Sequence, residues 1–188
     1  MNLKNKTILF LGSSVTYGSA SDGYSFVDII EENCGATCIK EAVSGTTLAD
    51  INEKSYVSRL KKIDINTKLD LFVCQLSTND ASKKIEIAEV RKAISFIINY
   101  VENVFACPIV FYTNTYFNSD EYRKMIKLLY DMKEEFDFHI LDLYNDEDMF
   151  SVDKELYKIY MKDKIHPTLK GYTEWWSPKI ISFLTDIL

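Results

Sequence analysis

Four cysteines, three prolines, six glycines and two histidines are all that the 188 residues contain, and each shortage narrows what the chain can be. Cys34, Cys38, Cys74 and Cys107 form no CxxC pair, and two of them lie in apolar strand-like or helix-end context. They read as reduced core thiols, not as a disulfide frame or zinc site, and favour a reducing, cytoplasmic setting. No metal or other cofactor is expected. Long apolar runs are missing too: none approaches the roughly 20 residues needed to cross a bilayer. The first short run ends at Gly12 without a small-residue cleavage site, so neither a signal peptide nor membrane insertion is expected. Nor is there an excess of positive charge. With 22 Lys plus Arg against 28 Asp plus Glu the formal charge is −6, which favours solubility and argues against nucleic acid as a partner. Lys61-Lys62 and Lys83-Lys84 are isolated pairs that read as solvated surface.

Linkers and internal repeats are also absent, so residues 1–188 read as one domain. A domain of this length buries about 70% of the surface its unfolded chain exposes. Its pattern alternates strand and helix. Short apolar runs ending in turn residues, at 7–11, 38–43, 70–76, 109–112 and 138–143, have the character of strands buried on both faces of a parallel sheet. Between them the 3.6-residue period predicts a helix over 24–33 with Gly35 as its stop, one around 55–62, and a long one carrying Val90, Ile94, Ile97, Ile98, Val101 and Phe105. A further helix follows the caps at Ser119-Asp120. Pro167 suits the first position of a last helix, whose stripe includes Tyr172, Trp176, Ile180 and Leu184, and Pro178 is expected to kink or interrupt it. The expected architecture is α/β, with five parallel strands and right-handed crossovers.

In such a sheet ligands bind beyond the carboxyl ends of the strands, near the point where strand order reverses. The polar clusters sit there: Gly12-Ser13-Ser14 after the first strand, Ser44-Gly45 after the second, Ser77-Thr78-Asn79-Asp80 after the third and the run from Asn114 to Phe117 after the fourth. Far along the chain lies Asp163-Lys164-Ile165-His166-Pro167. Three residues is the right spacing for the Asp163 carboxylate to meet Nδ1 of His166, fixing the tautomer and leaving Nε2 free to accept a proton. An imidazole so oriented is what a serine hydroxyl needs to become a nucleophile, which makes Ser14 the candidate. The backbone N–H groups of Ser14 and Gly45 and the Asn79 amide can serve a developing oxyanion. The other histidine, His139, lies in a strand-like run and reads as a satisfied core or surface group. Alone, each of these motifs has a plainer meaning, as a βα turn, a helix cap or a chance DxxH. Their order and their places at strand ends join them.

With these residues in view the chain resembles the SGNH hydrolase superfamily, also called GDSL-type esterases and lipases, over nearly its whole length. The resemblance implies a three-layer α/β/α, flavodoxin-like fold, Ser14 as nucleophile, Gly45 and Asn79 in the oxyanion hole, His166 as base and Asp163 as its partner. Two departures from the family pattern matter. Ser13 stands where Gly-Asp-Ser-Leu has aspartate, and Ser77 stands where Gly-x-Asn-Asp has glycine; neither removes a group of the implied site. An α/β-hydrolase elbow is excluded, because Gly-x-Ser-x-Gly would require glycine where the chain has Thr16.

The expected substrate is a small carboxylic ester, such as an O-acetyl group on a polar or sugar-like alcohol, cleaved through an acyl-serine. Tyr17, Asn114, Tyr116 and Phe117 are expected to border the pocket, the alternative being that these aromatics only pack the loops. The charged segment 145–164 is either a wall or lid of that pocket or a surface helix. The same residues admit two rival readings. A flavin-binding redox carrier could cradle phosphate on Ser13, Ser14, Thr16 and Ser19, and a silent binding domain could keep the fold without the chemistry.

Overall fold

The computed structural model describes residues 3–188, and its elements follow the alternation read from the chain. In order they are β1 (Thr7–Gly12), α1 (Ser14–Tyr17), α2 (Phe26–Cys34), β2 (Thr37–Ala42), α3 (Tyr56–Leu60), β3 (Leu71–Gln75), α4 (Thr78–Ser82) and α5 (Ile87–Val104). Then come β4 (Ile109–Tyr112), α6 (Asp120–Lys133), β5 (His139–Leu141), α7 (Glu147–Phe150), α8 (Lys154–Tyr160), α9 (Leu169–Gly171), a π-helical turn (Tyr172–Trp176) and α10 (Ser177–Ile187). The five strands pair in parallel in the order β2-β1-β3-β4-β5. Strand order therefore reverses at β1, so the ends of β1 and β3 flank the switch point where such sheets bind ligands.

Each central strand feeds two cores because successive side chains point to opposite faces. Leu9, Leu11, Phe72, Cys74, Ile109 and Phe111 pack with α3, α5 and α6 on one face. Ile8, Phe10, Leu71, Val73, Val110 and Tyr112 pack with α2 and α10 on the other. This is the three-layer α/β/α arrangement. Helix ends are set as their residues dictate: Ser25 caps α2 in a capping box with Asp28, and Gly35 ends it in the left-handed region at φ 68°. No helix among the described residues is long and apolar enough to cross a membrane.

The two prolines of the last helix behave differently from expectation. Pro167 does not open it. It lies two residues before the first helical residue, Leu169, in an isolated antiparallel bridge with Met161, and the Thr168 hydroxyl caps the helix by accepting from the Gly171 N–H. Pro178 falls at the start of α10, and the helical run passes through it without a break. The turn before it is wound wider, as a π turn, which accommodates a residue that cannot donate to the regular ladder.

Candidate active site

At the end of β1 the chain turns directly into α1, with Ser14 as its first residue, so the Ser14 N–H has no acceptor within that helix. The loop is held from below by Gln75. Its side-chain oxygen accepts from the Ser13 N–H at 2.8 Å, the Ser13 hydroxyl at 3.2 Å and the Thr16 hydroxyl at 3.0 Å. Thr16 also bonds the Tyr112 hydroxyl at 2.6 Å, and Tyr172 donates to the Val15 carbonyl at 2.6 Å. Gly12 is required for space: a Cβ there would lie 1.7 Å from the Thr16 hydroxyl oxygen and 2.9 Å from the Gln75 oxygen. With Ser13 and Thr16 fully buried and turned into this network, the loop offers no cradle for a flavin phosphate.

The Ser14 hydroxyl points the other way, 2.8 Å from Nε2 of His166. Nδ1 of the same ring lies 2.8 Å and 3.1 Å from the two Asp163 oxygens. Asp163 is itself fixed by accepting from the Ile165 and His166 N–H groups at 2.7 and 2.8 Å. Partial burial would raise its carboxyl. The hydrogen bonds from the His166 ring and those two N–H groups outweigh that and hold it below the ordinary carboxylate range. The loop carrying both residues is closed by the Lys162 N–H donating to the His166 carbonyl at 2.9 Å, and the Asn114 amide donates to the Ile165 carbonyl at 3.3 Å.

On the opposite side the ends of β2 and β3 are tied together. Asn79 donates to the Thr46 carbonyl at 2.9 Å, and the buried Asp80 accepts from the Leu48 and Ala49 N–H groups at 2.7 and 2.9 Å. Burial raises the Asp80 carboxyl despite those bonds. Arg59 reaches the Gly12 carbonyl at 2.7 Å, the Glu41 carbonyl at 2.8 Å and the Thr46 hydroxyl at 3.2 Å, joining β1, β2 and the loop beyond. Gly45 has φ 77°, a conformation that favours glycine, and its N–H bonds no protein group among the described residues. Ser77 needs no such licence. At φ −71° it caps α4, which explains how serine replaces the family glycine.

Two cavities meet above the strand ends. One, of about 350 Å³, is lined by Ser14, Thr78, Asn79, Phe117, Ser119 and His166 among others. A second, of about 500 Å³, is walled by α7, α8 and the loop after β4.

The model of the GDSL-like lipase/acylhydrolase family matches residues 10–173. The chain belongs to that family. Its members hydrolyse esters, and this chain is accordingly a hydrolase acting on ester bonds. Similar solved structures include a protein from Lactobacillus plantarum at 18% identity and TM-score 0.81, covering 98% of this chain and 99% of that one. A member of the lipolytic G-D-S-L family from Veillonella parvula is 16% identical with TM-score 0.74, covering 96% and 98%. An acetylxylan esterase from Geobacillus stearothermophilus is 15% identical with TM-score 0.72, covering 97% and 95%. At such identities the likeness shows the fold. No curated protein matches the sequence.

Against the family pattern, the structure brings Ser14, Asp163 and His166 into one hydrogen-bonded line and places Asn79 beside Ser14. Gly45 is not among the residues lining the Ser14 cavity. Of the four pocket residues expected, Phe117 lines that cavity, whereas Tyr116 lines the second one and not the first. Asn114 is fully buried and works as a brace for the His166 loop. Tyr17 is exposed, with its ring beside Gly23 and Lys40 rather than in either cavity. Of the segment 145–164, residues of α7 and α8 wall the second cavity, and Lys164 alone lines the Ser14 cavity. The braces supplied by Gln75, Arg59 and Asp80 are not implied by the motifs: Asp80 stands in the Asn-Asp cluster without a role of its own, and Gln75 is marked only as a lone amide in an otherwise apolar strand.

Proposed function

We propose that the protein is a serine esterase working by two-step acyl transfer. Ser14 Oγ attacks the ester carbonyl while its proton passes to His166 Nε2, with Asp163 holding the ring. The tetrahedral oxyanion is met by the Ser14 N–H and by the Asn79 amide, which its bond to the Thr46 carbonyl holds in place before the charge develops, with the unbonded Gly45 N–H as a third donor that closes in from outside the cavity lining. The C–O bond to the alcohol then breaks and the alcohol oxygen takes the proton from Nε2. Water, deprotonated by the same nitrogen, releases the acid from Ser14. The observation that carries this reading is the unbroken line of short contacts, Ser14 to His166 to Asp163, assembled from residues 152 and 3 positions apart.

The substrate we infer is a small acyl ester, acetyl above all, of a polar or sugar-like alcohol. The hydroxyl and amide lining of the Ser14 cavity, from Thr78, Asn79, Ser82 and Ser119, supports a small polar ester. We infer a reducing, cytoplasmic setting from four cysteines that form no CxxC pair, two of them, Cys74 and Cys107, buried as free thiols. The decisive experiment is labelling with a serine-directed fluorophosphonate alongside hydrolysis of aryl acetates. Ser14→Ala is expected to abolish both while the circular dichroism spectrum stays unchanged. A Ser14→Ala protein that turns over ester as fast as its parent sinks the assignment, and a parent that neither labels nor hydrolyses points to a silent binding domain.

A further inference from the structure

The larger cavity has a composition unlike that of the chain around it. In a molecule of net charge −6, its lining includes Lys154, Lys158 and Lys164 and not one Asp or Glu. The Ser14 cavity likewise has Lys164 and no carboxylate in its lining. Lys158 is engaged with Glu155 at 2.6 Å, whereas Lys154 and Lys164 make no ion pair or side-chain hydrogen bond with any described residue. The rest of the wall is aromatic and apolar, with Tyr116, Phe150, Tyr157 and Trp175 as its broad surfaces.

Position tells which half of an ester this cavity meets. The two cavities share Phe117 and Lys164, and Lys164 lies two residues before His166. Because the leaving alcohol takes its proton from His166, it departs on that side, while the oxyanion faces the ends of β2 and β3. We propose that the larger cavity is a subsite for the alcohol portion of the substrate, accepting a ring with an apolar face that bears a carboxylate or phosphate. The ring face lies on the aromatic wall, and its anion meets Lys154 and Lys164. This rests on the esterase reading and sharpens it, since a sugar-like alcohol has an apolar ring face and the lysines select its acidic forms.

The test compares kcat/KM for para-acetoxybenzoate and para-acetoxyphenyl phosphate with that for methyl para-acetoxybenzoate, a neutral ester of the same ring. The anionic esters are expected to be favoured roughly three- to tenfold, the size that one or two exposed ion pairs can supply. The two anions distinguish carboxylate from phosphate selectivity. In the Lys154→Ala/Lys164→Ala protein the ratio is expected to fall to near unity, and taking a ratio cancels any general loss of activity. Binding of para-hydroxybenzoate and of phenol to the Ser14→Ala protein, followed by calorimetry, reads the subsite without turnover. Hydrolysis of all three esters with no anion preference overturns the subsite and leaves the esterase standing. Preferential binding of para-hydroxybenzoate without any hydrolysis supports the subsite and removes the esterase. A preference that survives loss of both lysines overturns their role.

Discussion

Gln75 shows how much of the nucleophile's placement is decided by a residue that never meets the substrate. Its oxygen gathers three donors from the loop that carries Ser14, and all of them are buried. Gln75→Leu keeps the volume and removes the acceptor, so each stranded donor should cost about 1–3 kcal/mol. Urea unfolding is expected to show that loss, and kcat should fall more than KM rises because the hydroxyl is misdirected while the cavity persists. An unchanged kcat would remove Gln75 from any positioning role. Asp163 leads to a different measurement. Because the hydrogen bonds hold its carboxyl below the ordinary carboxylate range, Asp163 stays ionised as the pH falls to that range, and its loss should appear in log kcat/KM only at lower pH. An acid limb at or above the ordinary carboxylate range that Asp163→Asn removes would mean that the carboxylate is not held down.

At the scale of elements, the last helix and α8 are fitted so closely that one glycine decides their distance. A Cβ on Gly171 would stand 2.1 Å from the Tyr160 carbonyl oxygen, which is backbone and has no rotamer to escape into. Gly171→Ala should cost about 1–3 kcal/mol as an overpacked contact and push α8 outward. Since α8 carries Lys154, Tyr157 and Lys158 on the cavity wall, hydrolysis of bulky aryl esters should suffer more than that of methyl acetate. Equal losses would place the strain elsewhere. The same elements mark what the chain disclosed. Strands such as 71–75 and the long helices α5 and α6 were legible because burial on both faces, or on one stripe, leaves a periodic trace. One-turn helices such as α1, α4 and α7 are too short to hold a period. The line from Ser14 to His166 was legible because its residues stand in polar clusters at strand ends. The bracing roles of Gln75, Arg59 and Asp80 were not, because their partners lie 62, 47 and 32 positions away and no local pattern names those partners.

For the molecule as a whole, the sheet is the common wall of two cores, and this bears on whether residues 1–188 behave as one unit. Neighbouring residues on β1 belong to opposite faces, Ile8 and Phe10 to one and Leu9 and Leu11 to the other, so neither core can melt without loosening the strand that serves its partner. We therefore propose a single cooperative domain. The chain supplies a reporter on each side. Trp176 is fully buried in the core of α2 and α10, and Cys74 is fully buried in the core of α3, α5 and α6. In a protein carrying Cys34→Ser, Cys38→Ser and Cys107→Ser, the rate at which a thiol reagent reaches Cys74 reads one face while tryptophan fluorescence reads the other. Both are expected to change at the same urea concentration, together with loss of fluorophosphonate labelling at Ser14, because the nucleophile loop hangs on β1 and on Gln75 of β3. If labelling fades well before either core reporter moves, the site opens locally on an intact sheet. If the two reporters part, the faces unfold separately and the single domain is lost with them.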